Sequence, residues 1–357
     1  MKTYKSLINA ILILSLLITA CKKNSDEVGK LPDKTDPKTE DTIPKYIRTA
    51  NVYVAGRTDD SVTYVRQAAY WKNEVAVILT HGTEDAAANA ITVVGDDVYA
   101  AGYTTDANGA YIATYWKNGV QENLTTNTTN ASAGSIAVHG NDVYIAGFVE
   151  SSAVYWKNGQ RVTLPLLQGM SIGSSAGIAV QGSDIYVTGY QIGAGGASAV
   201  CWKNNIPTRL ANEISCYAGK NIVLQDGQTY MPATYIRPYA SNTVINYWKN
   251  DVPVSLADGT VAIDAVEIAV SGADVYLACN TSKGPGYFKN NKLNLLSDYY
   301  SEISGIAVLD NNVYTSGQST YEKKSVATYW ENNVPVHLSS PIGKSGFASA
   351  IVVTPLK

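Results

Sequence analysis

The chain has 357 residues, with 27 basic and 30 acidic side chains and a net charge of −3. No basic stripe interrupts that balance, which argues against a nucleic-acid surface, because neutralising phosphates needs clustered Lys and Arg. Only 16% of residues are charged while Tyr reaches 25 and Gly 29, a mixture that suits many short strands joined by tight turns and argues against a helical domain.

The first element is the N-terminal MKTYKSLINAILILSLLITAC. Lys2 and Lys5 precede an apolar run from Leu7 to Ile18, and the small residues Thr19 and Ala20 precede Cys21. The run is too short to cross a bilayer comfortably and reads as an export signal over residues 1–20. The stretch Leu17-Ile18-Thr19-Ala20-Cys21 resembles a bacterial lipobox. That resemblance implies cleavage before Cys21, acylation of its thiol and amine with palmitate-type chains, and a membrane as partner through the anchor. An ordinary secretory peptide with a chance Cys is the alternative.

Residues 21–45 are polar, contain Pro and lack an apolar period, so they form a flexible tether after the lipidated Cys. The cluster Ser25-Asp26-Glu27 resembles the surface-export signal of Bacteroidota lipoproteins, implying an outer-membrane lipoprotein exposed on the cell. A solvated charge run is the other reading. Two lysines leave with residues 1–20, so the remainder carries 25 basic against 30 acidic groups.

From residue 46 onward the chain repeats itself. An aromatic before Lys-Asn or its equivalent recurs at Trp71, Trp116, Trp156, Trp202, Trp248, Phe288 and Trp330, with gaps of 45, 40, 46, 46, 40 and 42. A second landmark keeps step at Tyr53, Tyr99, Tyr144, Tyr186, Tyr230, Tyr276 and Tyr314. Periods near 40–45 are those of propeller blades. The second unit shows the grammar, with strands expected at 91–94, 98–102, 111–117 and 120–124. The expected fold is therefore all-β, a seven-bladed β-propeller with four antiparallel strands per blade over residues 46–357.

Structural reasons account for the repeated residues. Asn before Gly119 or Gly159 suits a two-residue hairpin turn that needs positive φ at both central positions; Glu74 fits that place poorly. The third position after each landmark Tyr is small, at Gly56, Gly102, Gly147, Gly189, Ala233, Cys279 and Gly317, which close packing between blades would explain. Asp96, Asp97, Asp142, Asp184 and Asp274 recur at one turn and read as turn residues. The first unit lacks an inner strand, and Ala348 to Val353 looks like one, so the C-terminal strand should complete the first blade and close the ring.

The repeated YWKNG and A-I-V-x-G-x-D-V-Y patterns resemble bacterial propeller proteins with WKNG-type or HAF-like repeats found among Bacteroidota lipoproteins. The resemblance covers about residues 46–357 and brings no catalytic residues with it. Blade five departs from the pattern through Pro232, expected in an inner strand and to cause a bulge there.

Chemistry is sparse. His81, His139 and His337 lack metal-ligand spacing, and no phosphate or calcium loop appears, so no metal and no cofactor is expected. Cys201, Cys216 and Cys279 allow at most one disulfide; Cys201 with Cys216 or buried free thiols are both open. Loops after second and fourth strands vary and share one face, which should carry Tyr103, Phe148 and Tyr190 among other aromatics. On it Tyr217, Tyr235, Arg237, Tyr239, Tyr299 and Tyr300 are expected to form a ligand-binding patch beside the axis. The function expected is a non-enzymatic, lipid-anchored envelope protein binding a glycan, peptide or partner protein. The alternatives are a carbohydrate-active lyase or glycoside hydrolase, of which a glycosidase needs two nearby carboxylates from among the loop-face acids Asp59, Asp60, Glu84, Asp85, Asp106, Glu213, Asp264, Asp298 and Glu302, or an accessory subunit of an outer-membrane assembly.

Overall fold

The computed structural model describes residues 48–60, 62–126, 130–210, 216–235, 244–256, 262–296, 301–340 and 343–356. Among them every regular element is a strand, and the strands form seven antiparallel sheets arranged as blades of a ring. Blade 2 is the plainest: Ala86–Val94 is innermost, followed outward by Asp97–Thr105, Tyr111–Lys117 and Val120–Asn123. Blade 1 takes its inner strand from the far end of the sequence, Gly343–Pro355, and continues with Ala50–Asp60, Arg66–Lys72 and Val75–Ile78. The remaining inner strands are Ala131–His139, Met170–Gln181, the pair Cys216–Ala218 and Val223–Gln225, Ala262–Ser271 and Glu302–Leu309.

The core is divided among the gaps between blades. Trp71 packs with Tyr314, Tyr329 and Ala348 between blades 1 and 7, and Trp116 packs with Tyr53, Ala55 and Ala350 between blades 1 and 2. Equivalent clusters fill the other gaps around Trp156, Trp202, Trp248, Phe288 and Trp330. A strand in a propeller buries both faces against neighbouring blades, which is why Tyr and Trp can be adjacent in sequence and both be covered.

The two repeated motifs interlock on the tight-turn face. Asn118 and Gly119 take φ of 52° and 83°, and the Asn118 carboxamide accepts the Val98 amide at 2.8 Å while donating to Asp97 at 2.8 Å. Lys117 pairs with the other Asp97 oxygen at 3.1 Å and lies over the Tyr99 ring. Hydrogen bonds from Asn118 and Lys117 hold Asp97 below the usual carboxylate range. The same set recurs as Asp142 with Lys157, Asp184 with Lys203 and Asp274 with Lys289. Asn, Lys and Asp recur because they clamp one turn to the next, so the repeat has a structural cause.

Glu74, the poor fit to its turn, holds φ of 69° and uses its carboxylate elsewhere. It accepts from Arg48 at 2.8 Å and from the Tyr329 hydroxyl of blade 7 at 3.0 Å. A Gly would suit the backbone better but would drop a tie across the closing gap.

Two expectations need correction. The small residue after each landmark Tyr is not crowded by the neighbouring blade: a Cβ at Gly56, Gly102, Gly147, Gly189 or Gly317 would overlap the backbone oxygen of Phe347, Ala87, Ser132, Ser174 or Glu302, its own blade's inner strand. That oxygen is pushed forward by a β-bulge one residue further along, as between Ala88 and Ala90 or Ala133 and Ser135. Where the inner strand is more irregular, opposite Ala233 and Cys279, a Cβ fits. Pro232 lies in the second strand of blade 5, Gln228–Tyr235, not the inner one. It has no N–H to give the inner strand, which accordingly splits opposite it at 219–222, with the Gly219 amide bonding the Pro232 carbonyl at 2.8 Å.

Candidate functional site

Each sheet is a meander, so connections after second and fourth strands emerge together on one face and the uniform clamped turns on the other. On the variable face, the residue just beyond each small position forms a ring that the repeat leaves free: Arg57, Tyr103, Phe148, Tyr190, Thr234, Asn280 and Gln318. Their inner-strand partners are Phe347, Ala87, Ser132, Ser174, Tyr217, Asp264 and Glu302. The ring is lopsided. Blades 1 to 5 present aromatics and Arg57, whereas blades 6 and 7 present amides and carboxylates.

At the axis a cavity of about 340 Å³ opens among the bulges, lined by Arg57, Phe148, Phe347, Lys220, Asn89 and serines including Ser132 and Ser174. Its volume lies within the range of small-molecule sites. The Arg57 guanidinium sits 5.4 Å over the Phe347 ring and its Nε lies 3.4 Å from Asp59 Oδ1, an ionic contact without hydrogen-bond alignment. Lys220 is exposed in the split of blade 5, where its amide bonds the Val266 carbonyl at 2.9 Å.

Behind this cavity the bulges tie blade to blade. Asn89 donates to the Ala133 carbonyl at 2.8 Å, Asn221 exchanges hydrogen bonds with Ile268, and Ser304 donates to the Ala348 carbonyl. Glu267 takes the corresponding place in blade 6 and accepts the Ile306 amide at 3.1 Å. Burial pushes its carboxyl up to about 7, with Lys220 pulling the other way.

A second cavity, about 420 Å³, lies between blades 6 and 7 and contains both Asp264 and Glu302. Asp264 is engaged there, accepting from the Asn280 amide and carboxamide at 3.3 and 2.9 Å, which fixes Asn280 against the Ile303 backbone. Among the described residues no group of three His, Cys, Asp or Glu is placed to hold a metal ion. His337 is packed on Tyr321 at 4.3 Å and lies 3.2 Å from the Thr328 hydroxyl. Cys201, Cys216 and Cys279 are buried and form no disulfide, and burial raises the Cys201 thiol to about 12.

Of the six residues expected to form the ligand patch, Tyr217 is on the variable face, its ring edge-on to Tyr190 at 5.2 Å. Tyr235 has only its backbone described, paired with Cys216 and Val244, and Arg237, Tyr239, Tyr299 and Tyr300 lie outside the described residues, as does Cys21. Sequence reading missed Arg57, Phe347, Lys220 and Glu267. Arg57 was findable, because it occupies the column of Tyr103, Phe148 and Tyr190 once the repeats are aligned.

No protein-family model and no curated protein matches the chain. Solved structures do: TolB from Acinetobacter baumannii aligns with a TM-score of 0.47 and 10% identity over 84% of this chain and 66% of that one. A puromycin-hydrolysing peptidase from Mycobacterium tuberculosis gives 0.51 and 11% over 72% of this chain and 46% of that one. Apo AztD from Citrobacter koseri gives 0.48 and 12% over 87% and 100%. The chain thus spans less than half of the peptidase. At such identities the likeness is one of fold.

Proposed function

We propose that the protein is a binding module, exported and held to the outer membrane by lipid on Cys21, which presents the variable face of its propeller to a polar ligand such as a glycan or peptide. The observation that carries this reading is the ring at Arg57, Tyr103, Phe148 and Tyr190. The repeat leaves this position variable and fills it there with aromatics and a cation, of which Arg57 and Phe148 line the open cavity. Rings beside hydrogen-bonding groups suit sugar faces and extended peptides. In the cavity between blades 6 and 7 Asp264 serves as a clamp on Asn280, which speaks against Asp264 and Glu302 as a hydrolytic pair.

The test is retention on a panel of immobilised neutral and acidic oligosaccharides and peptides. Tyr235→Ala/Arg237→Ala/Tyr239→Ala and, separately, Phe148→Ala should each lower retention at least tenfold with melting within a few degrees of the parent. Unaltered retention by both folded variants would remove the variable face as the site. For the anchor, mass spectrometry of the membrane fraction should find Cys21 as an acylated N-terminus; an unmodified Cys21 contradicts it.

A further inference from the structure

We infer that the axial cavity is a subsite for a carboxylate-bearing sugar, a uronate residue of an acidic glycan, gripped by Arg57 and Lys220 and stacked on Phe148 or Phe347. This rests on the binding role proposed above and specifies the ligand's chemistry.

Two cations from distant parts of the chain, 57 and 220, line one cavity of about 340 Å³. If compact, such a space is about 9 Å across, so an anion at its centre lies within reach of both long side chains. The cavity lining contains Asn89, Ser132 and Ser174 as hydrogen-bonding groups but no Asp or Glu. The charges that line it are therefore cationic, with Asp59 beside the Arg57 Nε as a carboxylate outside the lining. Charge-assisted hydrogen bonds from Arg and Lys favour a carboxylate over a neutral hydroxyl. The Arg57 fork is oriented by stacking on Phe347, and its Nε is shielded from solvent without a hydrogen-bond acceptor.

Phe148 and Phe347 supply flat apolar walls beside the charges. That pairing favours a pyranose ring carrying a carboxylate over the terminus of a peptide, whose backbone would present amides to these rings. The serines and Asn89 match ring hydroxyls.

Glu267 adds a control on this site. It faces Lys220 from blade 6, the Ile306 amide and Gly305 from blade 7, and the backbone at Ala350 beyond Gly305. Lys220 is the charged group acting on it. While Glu267 is protonated, Lys220 is available to the ligand; once ionised, Glu267 competes for that ammonium. A uronate stays ionised throughout this interval, so binding should weaken as pH rises from 6 to 8.

The experiment is titration of the full-length mature protein with tetragalacturonate, its carboxyl-reduced neutral counterpart, and a tetrapeptide with free or amidated C-terminus. Tetragalacturonate should bind at least tenfold more tightly than its reduced form, and Arg57→Gln and Lys220→Ala should each weaken it about tenfold. Lys220→Ala is exposed and tests the site even if Arg57→Gln fails to fold. Glu267→Gln should bind equally at pH 6 and 8. Equal affinity for the charged and reduced sugars, or indifference to both cation changes, overturns the acidic subsite while leaving neutral binding intact. Preference for the free-carboxylate peptide overturns the sugar. If none of the probes binds, the acidic subsite is overturned, whereas the wider binding reading falls only if the panel also shows no dependence on the variable face.

Discussion

Deleting residues 346–357 is expected to abolish cooperative unfolding of the whole propeller. The lost segment is most of the inner strand of blade 1, paired with Ala50–Asp60 along its length, as in Val54 with Ile351 and Ala55 with Ala350. Ala348 and Ile351 pack in the gap between blades 1 and 7, while Ala350 packs in the gap between blades 1 and 2. Removing one strand therefore opens two slabs of core together. It also strips the Ser304 hydroxyl of the Ala348 carbonyl and exposes Ala50–Asp60 as an unpaired edge. Domains of this size are stable by only about 5–15 kcal/mol, and burying a single Ile contributes about 1.5–3 kcal/mol, so this combined loss is comparable with the total. Calorimetry should show no cooperative transition, and gel filtration an aggregated product. Removal of 356–357 alone, beyond the strand, should leave melting unchanged; a longer truncation that melted like the parent would show that the ring closes elsewhere.

Glu267→Gln is expected to stabilise the protein above neutral pH and to do little in acid. The folded carboxyl titrates near 7 against an ordinary 4.5, because burial penalises its charge. Below about 4.5 the group is protonated in both states and costs nothing. Between 4.5 and 7 the unfolded chain ionises while the folded one stays protonated, so stability falls as pH rises, and the loss is complete above 7. This is opposite to the usual salt-bridged carboxylate. The gap corresponds to about 3 kcal/mol. A Gln keeps an oxygen for the Ile306 amide and removes the charge. Melting at pH 8.5 should rise by several degrees and at pH 4.5 by little; equal shifts at both would mean that folding does not raise the Glu267 carboxyl above its ordinary value.

Much of the fold was legible because a repeated fold writes the same constraint seven times. The aromatic and Tyr landmarks gave the blade count and strand order, and the missing first strand with the orphan Ala348 to Val353 gave the closure. Local geometry was less legible. The five glycines at the small position were read as room for a neighbouring blade, whereas they make room for a carbonyl displaced by a bulge, and a bulge depends on strand register that no single segment reveals. Pro232 misled for the same reason, since it breaks the strand beside it.

The site was legible by elimination. Residues that the repeat does not explain are free for other work, and Tyr217 was found in this way. Arg57 is less legible because it lies within a strand and not in a loop. Lys220 and Glu267 were hidden because they belong to irregular inner strands, where alternation gives no orientation. Ring closure brings Arg57 of blade 1 and Lys220 of blade 5 around one space, with Glu267 of blade 6 buried near enough to act on Lys220.

Hydrogen exchange with and without bound ligand tests most directly the claim that the repeat is structural and the variable face functional. With tetragalacturonate, or the panel member that the protein retains, exchange should slow at 57–59, 147–149 and 217–220, where the ring and the split strand meet the cavity. The clamped turns at Asn118, Asn158, Asn204 and Asn290 should exchange at the same rate in both samples. Protection confined to those turns, with none around Arg57 and Lys220, would contradict the account and make the repeated motif itself the binding element.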